Sequence, residues 1–98
     1  MIPSAPTLRI EDRAGRVHRF ILFLSISIIL DSARWETHGI VMVEPNEVYP
    51  HGMARWISPN GTMFSHVPKV PDDPLRGLAV LLKVHGVRAE HLLGEEPL

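Results

Sequence analysis

The sequence contains no cysteine, which excludes disulfide staples and thiolate metal sites and fits a reducing cytoplasm. An excess of charge of one sign is also missing. Ten Lys and Arg against eleven Asp and Glu leave a net charge of −1. The chain therefore has no global attraction to phosphate backbones and no acidic, nucleic-acid-mimicking surface. The seven glycines are scattered and form neither GxGxxG nor GxxxxGK, so a phosphate-cradling loop and a nucleotide cofactor are not expected. No HExxH motif and no GxSxG elbow occur, which leaves no nucleophile or zinc signature of the common kinds. There is no internal repeat and no low-complexity segment.

A membrane-length apolar run is absent too. The longest largely apolar stretch is Phe20 to Leu30. As a helix it would extend about 17 Å at 1.5 Å per residue, against roughly 30 Å of hydrocarbon. A signal-peptide reading fails on Glu11 and Asp12 ahead of the run and on Asp31 near any small-residue cleavage site. Alternation instead predicts a buried β-strand, with Phe20, Leu22, Leu24, Ile26, Ile28 and Leu30 on one face. The other face mixes Ile21, Phe23 and Ile29 with Ser25 and Ser27, and its incomplete cover would invite a homodimer.

What is present suits one domain spanning 1–98, because 98 residues with 45% hydrophobic side chains can close one core. Residues 1–6 read as an extended N-terminus. Leu8 and Ile10 alternate with Arg9 and Glu11 in a first strand, which Asp12 to Arg16 turns back onto Val17. Ile40 to Val43 reads as a strand, Glu44 to Gly52 as a loop, and Met53 to Val67 as a hairpin around Pro59-Asn60-Gly61. Residues 68–74 form a proline-rich connector ending in an Asp73 N-cap with Pro74 at the first helical position. The helix should run to about His85, with Gly86 as a left-handed cap and Leu75, Leu78, Ala79 and Leu82 facing the core. Val80, Leu81 and Val84 widen that stripe. Arg88 to Leu93 reads as a second helical turn and 94–98 as a tail. The expected fold is α+β, a small antiparallel sheet of about five strands with one C-terminal helix packed on one face.

The C-terminal pattern Leu78-Ala79, Leu82, Gly86-Val87 and Leu92-Leu93-Gly94 resembles the closing helices of Xre-type helix-turn-helix repressors. The resemblance covers about a fifth of the chain and falls on core positions of that family, not on its DNA-reading helix. It implies helix packing and carries no DNA-binding role.

Side chains that could bear chemistry are dispersed. Glu36 and His38, with Glu44, Glu47, His51 and His66, are the only candidates for a histidine and carboxylate metal enzyme, and no ligand spacing joins them, so no metal and no cofactor is expected. Ser65 and His66 point to opposite faces of a strand, and Asp72 and Asp73 are explained by the helix start. Arg13, Arg16 and Arg19, with His18, cluster at the first hairpin, and Trp35, Trp56 and Phe64 offer stacking faces for a nucleic-acid-binding regulator. The leading expectation is a non-enzymatic protein-binding module of cytoplasmic location. Its interface would be carried by Trp35 and by Tyr49 between Glu47 and His51. The size class is that of small phage or mobile-element inhibitors such as anti-CRISPR proteins.

Overall fold

A computed structural model describes residues 4–23, 26–29 and 39–97. Among these, seven strands and one helix form an α+β fold of two antiparallel sheets. Strands β1 (Ser4–Glu11), β2 (Val17–Phe23), β3 (Ile26–Ile29) and β7 (Arg88–Pro97) make the larger sheet in the order β3-β2-β1-β7. Strands β4 (Gly39–Val43), β5 (Met53–Ile57) and β6 (Met63–His66) make the smaller sheet in sequence order. Helix α1 (Pro74–Val84) packs against β5 and β6 on one side and β7 on the other. It therefore bridges two sheets where the sequence suggested cover for one.

The core follows from period-2 strands and a period-3.6 helix meeting on their apolar sides. Leu8, Ile10 and Phe20 come from the larger sheet, Ile40, Ala54 and Trp56 from the smaller, and Leu75, Leu78, Ala79 and Leu82 from the helix. All four of those helix residues are the ones the spacing selects. Val80 and Val84 do not widen the stripe, since both face solvent, while Leu81 is half-buried. The helix ends also match their signals. Asp73 accepts from the Leu75 N–H at 2.9 Å, and Gly86 adopts φ +80° just past the His85 cap.

Three expectations need correction. First, Phe20 to Leu30 is not one central strand. Phe23 pairs with Ile26 and Phe20 with Ile29, antiparallel, so the chain reverses inside the run. Ile29 then stands opposite Phe20 and Ile28 opposite Ile21, which inverts the odd and even sorting beyond the reversal. Alternation cannot distinguish one long strand from a tight hairpin, and the two serines were the only polar break. Ile21 is covered as well, at 6% exposure beside a fully buried Thr7.

Second, Arg88 to Leu93 is not helical but the start of β7, and 94–97 continue it instead of forming a tail. Buried Val87 and Ala89 alternate with exposed Arg88 and Glu90, a strand pattern too short to outvote local helix propensity. Pairing with β1 along Thr7↔Leu92 to Glu11↔Arg88 satisfies the backbone, and the register pairing of Ser4 with Pro97 brings part of the N-terminal segment into the sheet. Third, the helix-packing resemblance to repressors ends with α1 for the same reason.

Candidate functional site

Two turns meet at one end of the molecule. The β1–β2 turn, Asp12 to Arg16, is built around the Asp12 carboxylate. Its Oδ1 accepts the N–H groups of Ala14 at 2.9 Å and Arg16 at 3.0 Å. Its Oδ2 accepts from Arg16 Nε at 3.2 Å and from His18 Nε2 at 2.9 Å. Burial would raise the Asp12 pKa, but the bond from His18, the two backbone donors and the Arg16 charge outweigh it and hold the carboxyl below its ordinary value. The β5–β6 turn, Ser58 to Thr62, closes through Ser58 N–H to Thr62 carbonyl at 2.8 Å. Ser58 and Asn60 side chains also bond each other and the Thr62 N–H.

Between these turns lies a cleft of about 250 Å³, walled by Arg13 and Arg16 on one side, Pro59 and Asn60 on the other, and Trp56 and Phe64 from the smaller sheet. Trp56 and Phe64 stack with ring centroids 5.7 Å apart at 19°, and Phe64 meets the His85 ring at 5.4 Å. This aromatic column ties the cleft wall to the helix C-terminus. Trp56 is 1% exposed, so it is core and not a free stacking platform. Among the described residues its indole N–H has no hydrogen-bond acceptor, an unusual state for a buried donor that costs about 1–3 kcal/mol.

No family model, curated protein or solved structure matches this chain.

A wider groove of about 560 Å³ lies along β1, β7 and the helix C-terminus. Four of its charges are already matched across the strands, Arg9 with Glu90 at 3.6 Å and Arg88 with Glu11 at 3.4 Å. At the hairpin cleft, by contrast, the Arg16 guanidinium meets Asp12 through Nε, and Arg13 is exposed at the tip.

The structure separates the residues that the sequence grouped. Arg13 and Arg16 sit at the turn, whereas Arg19 lies within β2, opposite Arg9. Glu47, Tyr49 and His51 occupy the β4–β5 connection, at the other end of β5 from the cleft. There the Asn46 side chain accepts from Val48 and Tyr49 N–H groups at 2.8 Å each, and the Tyr49 carbonyl accepts from Asn46 and Gly52. This fixes the loop with Glu47 exposed and Tyr49 and His51 half-buried. Trp35, Glu36 and His38 lie outside the described residues.

Among the described residues no group of three or more His, Asp or Glu stands close enough to hold a metal ion. His66 instead packs its ring directly on Gly77 of α1, and His91 Nε2 lies 3.2 Å from Asp73 Oδ2 at the helix start. Nor is any helix among these residues long and apolar enough to cross a membrane.

A further surface was not legible beforehand. The smaller sheet turns Ile40, Met42, Ala54, Trp56 and Phe64 to the core. Its outer face carries exposed Val41 and Met63, half-buried Val43 and Ile57 and a buried Met53 at 4% exposure, with Arg55 and Ser65 its polar side chains among the described residues, joined to each other at 3.2 Å. Val41 is 45% and Met63 60% exposed. A half-solvated antiparallel sheet ordinarily alternates apolar inside with polar outside, and this one does not.

Proposed function

We propose that the chain is a non-enzymatic protein-binding module whose partner seats on the outer face of the β4-β5-β6 sheet. The observation that supports this is the apolar outer face itself, where Val41 and Met63 remain exposed beside half-buried Val43 and Ile57. The loop expected to bind is the tip of the β4–β5 hairpin of this sheet. Its Val48 is largely exposed, and its half-buried Tyr49 is held by the Asn46 turn. A rigid hairpin tip continuing an apolar face keeps the entropy cost of association low.

The test is a capture experiment with the wild-type chain and a Val41→Glu/Met63→Glu variant, followed by reconstitution with the purified, identified partner. Both positions face solvent, so the variant should unfold within about 0.5 kcal/mol of wild type. A partner retained by wild type and lost by the folded variant supports the reading. Equal retention by both refutes it, and concentration-dependent dimerisation of the chain through this face would make the partner a second copy. The alternative, a nucleic-acid-binding regulator, rests on Arg13 and Arg16 at the tip, the second paired with Asp12. A gel shift that weakens steeply with salt would favour it over protein binding.

A further inference from the structure

The cleft between the hairpin tips combines three features that the fold does not require. It is a concave space of about 250 Å³ with an apolar wall of Phe64, Trp56 and Val87. Its rim bears two arginines against one carboxylate, a local excess of one positive charge. Its wall holds a buried indole N–H with no acceptor among the described residues.

A cavity of this size corresponds to roughly eight water molecules' share of liquid volume, about 30 Å³ each, so its occupant is small or is the end of a chain. One net positive charge matches a monoanion better than a dianionic phosphate. The guanidinium fork of Arg13, and the Nη groups of Arg16 left over from the Asp12 contact, match the two oxygens of a carboxylate. The Phe64 and Val87 wall suits an aromatic or branched apolar body.

We propose that this cleft binds an apolar carboxylate. The carboxylate lies against Arg13 and Arg16, and the body lies against Phe64, Val87 and the edge of Trp56. The same chemistry is offered by a free aromatic acid and by the C-terminal residue of a peptide. The site is independent of the outer sheet face, since it shares none of that face's residues, and either reading can fail without the other.

The experiment titrates the full chain with phenylacetate, with an acetylated tripeptide ending in Phe, and with phenylacetamide as the uncharged control. Binding is followed by Trp fluorescence in a Trp35→Phe background and by amide chemical shifts. The expected result is saturable binding of an acid that perturbs the amides of residues 13–16, 60–62 and 64. The amide should bind at least tenfold more weakly, and Arg13→Gln should weaken the acid at least tenfold, which is about 1.4 kcal/mol. Arg13 is exposed, so its replacement leaves the fold intact, and an unchanged denaturation midpoint verifies that. Saturation by phenylacetate assigns a small-molecule site, and saturation by the peptide alone assigns a C-terminus site. No saturable binding of either acid, equal affinity for acid and amide, or an Arg13→Gln variant that binds as wild type would overturn the proposal.

Discussion

A glycine in the middle of a helix ordinarily costs about 1 kcal/mol relative to alanine, so Gly77→Ala in α1 would be a stabilising change if the helix stood alone. In this fold it should destabilise. A β-carbon built at Gly77 overlaps the His66 imidazole, which crosses the helix at this point from strand β6. Accommodating a methyl group in a tight contact costs about 1–3 kcal/mol, and the gain of about 1 kcal/mol in propensity offsets part of it. The single variant should therefore lose up to about 2 kcal/mol. In a His66→Ala background the overlap is gone, and Gly77→Ala should become stabilising by about 1 kcal/mol. The sign reversal is the decisive quantity, a coupling of about 1–3 kcal/mol in a double-mutant cycle. Urea denaturation of the four proteins measures it, with matching m-values as the check that the unfolded states are comparable. Additive effects, with Gly77→Ala stabilising equally in both backgrounds, would refute the argument that the glycine exists to admit the histidine ring.

Three further outcomes follow from the same packing. Because Asp12 titrates below its ordinary value in the folded chain, its contribution is fully present above about pH 4 and is lost as pH falls through the lowered folded value; Asp12→Asn should be less stable at neutral pH and show a shallower acid decline in pH-dependent unfolding. Asp73→Ala removes the acceptor for the Leu75 N–H and the carboxylate that lies 3.2 Å from His91, and should cost about 0.5–2 kcal/mol in the same denaturation assay. Leu82→Ala, at a fully buried position, should cost about 2–5 kcal/mol, whereas Val84→Ala two residues on, exposed to solvent, should stay within about 0.5 kcal/mol.

How much of this was legible in the sequence depended on whether the signal was local. Helix α1 was readable almost to the residue, because Asp73, Pro74 and Gly86 mark its ends and Leu75, Leu78, Ala79 and Leu82 repeat at helical spacing. The β5–β6 hairpin was readable for a similar reason, since Pro59-Asn60-Gly61 supplies its turn angles. Strand β7 was not. Its residues have no strong β preference, and it becomes a strand because β1, some eighty positions earlier, presents an edge to it. The reversal inside Phe20 to Leu30 escaped for a different reason. A period of two looks the same in one strand as in two, and only pairing decides where it folds back.

The candidate sites divide along the same line. Arg13 and Arg16 were visible as a basic cluster, but nothing local says that the Ser58–Thr62 turn faces them or that Trp56 lies in the wall between. The packing of two sheets on one helix produces that juxtaposition, and it also dictates which surface can vary. The cleft wall leans on the Trp56, Phe64 and His85 column, so changes to the helix C-terminus should be felt in the cleft. On the outer face of the smaller sheet, Val41 and Met63 are exposed and line none of the cleft. Charge can therefore be introduced on that face while the cleft keeps its shape, and that independence lets the two proposed binding surfaces be tested in one folded protein.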